Sequence, residues 1–171
     1  LATILAITDP AQARRLNERA LAIREKALGP DHHLVADSLA NLANLELHSG
    51  ATGPARALFE RARKIKEQAL GPDHPDLALT LKDLARVDLA EHRPHDALPR
   101  LERALTIFAA QPGEQHGELE AHFELARALL ASGRDRARAI AAATHARDGW
   151  RAADHKLALA EADAWLTANA R

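Results

Sequence analysis

Residues 27–43 read ALGPDHHLVADSLANLA and residues 69–85 read ALGPDHPDLALTLKDLA, so one helix-breaking phrase returns after forty-two residues. A fixed period of this length is the mark of a repeat architecture. In the phrase LGPDH, Gly29 and Gly71 suit the positive φ that ends a helix, and Pro30 and Pro72 block its continuation. Asp31 and Asp73 are expected to cap the helix that follows. Asp76 places a further carboxylate near that helix's positive end.

The same frame exposes a second phrase, ERALAI at Glu18, ERARKI at Glu60 and ERALTI at Glu102. Its alanine continues as Ala20, Ala62, Ala104 and Ala146, and another small position runs Ala13, Ala55, Ala97 and Ala139. Small side chains at fixed positions let neighbouring helix axes approach closely. Within one period the apolar spacing is helical twice, at Leu39, Leu42, Ala43 and Leu47 and again at Leu58, Ala62, Ile65 and Ala69. Each repeat is therefore a helical hairpin. Its internal turn is HSGATGP from His48, where Gly50 suits a left-handed cap, Thr52 an N-cap and Pro54 a first turn. AEHRPHD takes the same place one repeat later.

Composition narrows the function. Apolar residues make up 47% of the 171, enough for a core, while aromatic residues supply only 3%. A net charge of −1 and the lack of a basic arm argue against nucleic acid or an anionic membrane surface as partner. No cysteine is present, so neither a disulfide framework nor a thiolate metal site can form, which fits a reducing cytoplasm. The apolar opening LATILAI is far shorter than the about 20 residues that span a bilayer. The absence of any methionine implies a piece excised from a longer protein.

These features resemble the tetratricopeptide repeats of the 42-residue kinesin-light-chain type, carried by NLANLELHSG from Asn41, ARALFERARKI from Ala55 and the two LGPDH linkers. The resemblance implies an all-α, right-handed solenoid of antiparallel helical hairpins. It departs at Glu46, Thr52, Asp88 and Pro94, where the family usually carries tyrosine, so aromatic packing between hairpins is thinner. The expected organisation is a single solenoid over 1–171: a truncated hairpin over 1–28, then hairpins over 34–70, 76–110 and 117–150, and a capping helix over about 155–170. The third linker, QPGEQHGEL from Gln111, keeps only Gly113 and His116 in frame, and LARALLASG after it is displaced by one residue. Trp150 and Trp165 are candidate packing anchors at that end. The tail also resembles the ends of bacterial multidomain proteins that carry such repeats behind a serine/threonine kinase domain, although no kinase motif occurs here.

No catalytic machinery is legible. There is no phosphate loop, nucleophile elbow or H-E-x-x-H helix, and Ser49 and Ser132 sit beside glycines at helix ends, where capping explains them. Among the histidines, His92 and His95 lack a completing ligand set, and His32, His74 and His116 lie a repeat apart, so neither a metal nor another cofactor is expected.

The remaining function is recognition. In the resembled family the first helix of each hairpin lines a concave surface. Projected onto this chain, that surface carries Asp37, Asn41, Asn44 and His48, then Leu79, Lys82, Asp83 and Arg86, then Glu124, Arg127 and Leu130. Asparagine amides can hold an extended backbone and arginine forks a carboxylate. Asn41, Asn44, Lys82, Arg86 and Arg127 are thus the candidate peptide-binding residues, for an acidic segment of a protein partner. Asp83 and Glu124 lie three residues before Arg86 and Arg127 and could neutralise them within their own helices. The alternative is a structural role, packing against another domain of the same chain or stacking end to end.

Overall fold

The computed structural model describes residues 10–111 and 115–169. Eight helices follow in order: α1 Pro10–Leu28, α2 His33–His48, α3 Thr52–Leu70, α4 Pro75–Ala90, α5 Pro94–Ala110, α6 Gln115–Ala131, α7 Arg136–Ala152 and α8 Lys156–Asn169. The described residues contain no strand. The expected first helix of the truncated hairpin, and Gly113 of the third linker, lie outside the described residues.

Helices α2 and α3, α4 and α5, and α6 and α7 pack most extensively, each pair forming an antiparallel hairpin. Successive hairpins join through α1 against α2, α3 against α4 and α5 against α6, while α8 lies on α7. The small ladder makes this packing close. Ala13, Ala55, Ala97 and Ala139 are buried, as are Ala62, Ala104 and Ala146. Ala20 is half-buried.

Larger side chains fill the core both within and between hairpins. Phe59 of α3 meets Leu84 and Val87 of α4 in one cluster, and Val35 and Leu39 of α2 pack with Ile65 of α3 in another. At the C-terminal end Trp150 is buried, Trp165 is half-buried, and both meet Phe123 edge-on, with ring centroids 5.5 and 6.0 Å away. Helix α8 buries Ala162 and Leu166 while leaving Leu157 exposed.

The helix stops follow from backbone sterics. Gly29 and Gly71 hold φ of 87° and 91°, a region that costs glycine nothing. Gly50 likewise takes a positive φ, 82°, after α2, and His92, forty-two residues later, does so after α4 at φ 59°. Gly133 repeats the device one residue early, matching the displaced frame of the last hairpin.

Two capping expectations are corrected. Asp31 and Asp73 do not cap: His32 and His74 are the N-caps, and their Nδ1 atoms accept from the backbone N–H of Leu34 at 3.2 Å and of Asp76 at 3.1 Å. The imidazole sits one residue nearer the helix, where Nδ1 reaches the second amide as a capping oxygen would. At α3 the N-cap is Ala51, and Thr52 is the first helical residue.

Two of the four positions that lack tyrosine are also explained. Glu46 is buried against Arg14, and Asp88 is buried against Arg56 at 2.7 Å and Arg100 at 3.0 Å. Both Arg14 and Arg56, and Glu46 and Asp88, are separated by the repeat period. An ion pair between hairpins therefore stands where an aromatic ring was missing.

Candidate functional site

Helix α2 touches α4 directly and α4 touches α6, so the first helices of the hairpins form the inner layer of the stack. The polar face of that layer carries the candidate residues. Asn44, Arg86 and Arg127 fall into one connected network. Arg86 Nη1 donates to Asn44 Oδ1 at 3.3 Å and to Asp83 Oδ1 at 3.2 Å, and its Nε lies 3.8 Å from Glu124. Arg127 Nη1 donates to both oxygens of Glu124 at 3.2 Å. Asn44 Nδ2 donates to the Ala40 carbonyl at 3.2 Å, so its amide is held at both ends.

Lys82 is only 5% exposed, clasped by Glu120 and by Asp83 at 3.2 Å. Asn41 stands apart: it is exposed on α2 and its side chain makes no hydrogen bond among the described residues. The structure thus brings four of the five candidates together and leaves the fifth on the rim.

Charge in this network is matched. Lys82, Arg86 and Arg127 face Asp83, Glu120 and Glu124. Burial alone would lower the Lys82 and Arg86 pKa values, but the adjacent carboxylates outweigh it and raise both. Burial likewise opposes ionisation of Glu120, yet the charge and hydrogen bond of Lys82 bring it below the usual range. Glu124 is the exception: burial raises it, and Arg127 and Arg86 compensate only in part. Arg127 is the most exposed of the three cations, at 46% of its side chain, and only its Nη1 is engaged by Glu124.

Beside the network opens a cavity of about 360 Å³ lined by Arg86, Glu120, Glu124 and Arg127, with Phe123 and Trp150 as its apolar wall. Helix α8 contributes Ala158 and Glu161. A second cavity of about 250 Å³ shares Arg86, Glu124 and Arg127 and reaches Leu47 and Leu89. Sequence reasoning missed Glu120, Phe123, Trp150 and Glu161 as site residues. Glu120 carried a local signal, its i,i+4 spacing from His116, which it meets at 3.2 Å. The two aromatic residues carried none, because a ring on a helical stripe reads as core. The Trp150 indole N–H is buried without a hydrogen-bond partner among the described residues.

Away from this face, Glu118 and His122 of α6 lie near His145 of α7. Burial, with His145 adding to it, pushes the His122 pKa down to about 4, so the ring is neutral at physiological pH.

Comparison with known proteins agrees with this architecture. No curated protein matches the chain in sequence. Among solved structures, a Podosopora anserina protein named for its kinesin-light-chain character and nearly identical TPR-like repeats is 21% identical, with a TM-score of 0.71 over 98% of this chain and 90% of its own. A glutamine-to-methionine variant of that protein gives the same values. BtubC (BKLC) of P. vanneervenii is 19% identical, with a TM-score of 0.75 over 90% of this chain and 63% of its own. At these identities the likeness establishes the fold. The tetratricopeptide repeat family profile matches residues 1–68 and 55–110, and the chain belongs to the tetratricopeptide repeat family.

Proposed function

We propose that the inner face of α2, α4 and α6 captures an extended peptide segment of a protein partner, with Arg127 receiving one acidic side chain of that segment. Tetratricopeptide repeats are protein–protein interaction modules, and the observation that carries this reading is the ordered network from Asn44 to Arg127 beside a cavity with an aromatic wall. Such a groove offers apolar area and fixed polar groups together.

The matched charges narrow the acidic preference expected from the sequence. Lys82 and Arg86 are held by carboxylates, so their role is to fix the groove's shape and the position of Glu124. Arg127 keeps an exposed guanidinium edge for a carboxylate, and Asn41 offers a free amide to the peptide backbone. Glu161 across the cavity disfavours a run of acidic residues. The balanced face gives no footing for nucleic acid. Among the described residues no helix is long and apolar enough to cross a membrane. The reading is of a non-catalytic module, placed in the cytoplasm, that works without a cofactor.

Fluorescence anisotropy with extended peptides that carry none, one or four glutamates tests it. The single-glutamate peptide should bind best, and Arg127→Glu should weaken it about tenfold or more, the effect of losing one charge-assisted bond of about 1.5 kcal/mol. Equal binding of all three peptides, or an unchanged affinity in Arg127→Glu, would remove the site.

One observation favours a second reading. Leu16, Ile23 and Leu28 of α1 are 47%, 57% and 43% exposed, an apolar edge suited to packing against another domain of the same chain or a second copy. Such packing would persist at high salt, whereas the groove's charged contact would weaken.

A further inference from the structure

The fourth hairpin holds a side-chain cluster that the groove does not use. Glu118 and His122 are four residues apart on α6 and share a helix face. His145 of α7 leans across the hairpin, its ring centroid 4.4 Å from that of His122 and the two planes inclined at 57°. Glu118 Oε1 lies 4.0 Å from His122 Nε2. One ligand atom from each of the three residues lies within 4.8 Å of the other two.

Ordinary packing accounts poorly for this arrangement. Glu118 and His145 have no partner outside the cluster among the described residues, and Nδ1 of His122 is buried with no hydrogen-bond partner there. Two imidazoles and a carboxylate, each with unused lone pairs, converge beside a cavity of about 380 Å³ lined by Glu118, Leu119, His145 and Gly149. That space admits water as a further ligand.

We propose that Glu118, His122 and His145 form a binding site for a divalent transition-metal ion of the zinc class, bridging α6 to α7. The donor set decides the class. Two imidazoles disfavour magnesium and calcium, which take oxygen, whereas two histidines and one glutamate with a water in the open position suit zinc. The geometry requires a short closure. Zinc bonds of about 2.0–2.1 Å place tetrahedral donors about 3.3 Å apart. His145 is exposed and Glu118 half-buried, so both can swing inward about their side-chain torsions. The clamp would hold together the one hairpin whose entry linker departs from the LGPDH pattern.

The histidines weighed from the sequence, His92 with His95 and the linker series, are different residues, and the trio escaped notice because His145 joins it only through the hairpin's fold. Isothermal titration of the full chain with zinc chloride at near-neutral pH tests the site, using wild type, His145→Ala, Glu118→Gln and, as a distant histidine, His92→Ala. Wild type and His92→Ala should bind one ion per chain saturably, with a rise in melting temperature. His145→Ala should lose about 100-fold or more in affinity, since removing even an outer-shell partner costs about 10- to 100-fold. Circular dichroism verifies that the variants fold, and Glu118→Gln decides the matter if His145→Ala does not. Saturable one-site binding retained in the cluster variants would overturn the proposal, as would its absence from the wild type.

Discussion

Removing the carboxylate of Asp88 tests how the hairpins are tied together. Asp88 is 1% exposed and meets Arg56 at 2.7 Å, Arg100 at 3.0 Å and Arg93 at 3.6 Å. Asp88→Ala leaves three guanidinium groups around an apolar void. Breaking a buried pair from one side costs about 3–5 kcal/mol, because the remaining charge stays desolvated without its partner. Two features place this case at the lower end. Arg56 and Arg100 keep about a quarter of their side chains exposed, and each retains a second carboxylate, Glu91 at 2.9 Å and Glu60 at 3.1 Å.

A loss of about 3 kcal/mol corresponds to a fall of about 6–12 °C in melting temperature for a chain of this size. Thermal unfolding followed by circular dichroism reads it directly. The paired change Arg56→Leu with Asp88→Leu should recover part of the loss, since it removes the most closely paired guanidinium and fills the void, while Arg100 keeps Glu60 and Arg93 keeps Glu91. A fall under about 2 °C in Asp88→Ala would refute the reasoning, because it would give the pair the small value of an exposed one. A double variant as unstable as the single one would refute it as well.

Two further outcomes are expected. His74→Ala removes the acceptor for the Asp76 amide at 3.1 Å and should lower stability by about 1 kcal/mol, whereas His74→Asn, which keeps a capping acceptor, should not; equal melting temperatures for the two variants would contradict the cap. Because the Glu120 pKa is lowered in the fold, its ionisation adds stability above its unfolded value of 4.5 that is lost as pH falls below that value. Acid titration of stability should therefore show a smaller loss over that range in Glu120→Gln than in the wild type, and superimposable curves would contradict it.

The parts of the fold legible in the sequence are those encoded by one residue at a time. Gly71 needs no neighbour to prefer positive φ, and the buried alanines from Ala13 to Ala139 declare close packing by size alone. The caps were misplaced because Asp73 and His74 are adjacent and both able to accept a hydrogen bond; only backbone geometry shows that Nδ1, not the carboxylate, meets the amide. For the candidate site, position was legible and charge state was not. Arg86 and Asp83 share a helix and their pairing could be anticipated, but the clasp of Lys82 by Glu120 depends on the register of α4 against α6. Trp150 enters the cavity wall for a reason of the same kind, since four helices and α8 must be placed before the cavity exists.

The ion pairs show how the repeat tolerates this hidden layer. The first rung between hairpins is Arg14 with Glu46 and the second is Arg56 with Asp88. One period further, the arginine position is Leu98, and the carboxylate position, in the displaced frame of the last hairpin, is Leu129; both leucines lie in the same buried cluster. The chain itself has thus made the exchange from ion pair to apolar contact while continuing the stack of hairpins. That is possible because each rung satisfies one local condition, that no charge be buried without an opposite charge beside it, and a matched pair and two leucines both meet it. What the repeat preserves is the alanine ladder that sets the distance between helices. What fills the rung at that distance is free to vary as long as both halves vary together, so a single-site change at Asp88 should do more harm than the paired one.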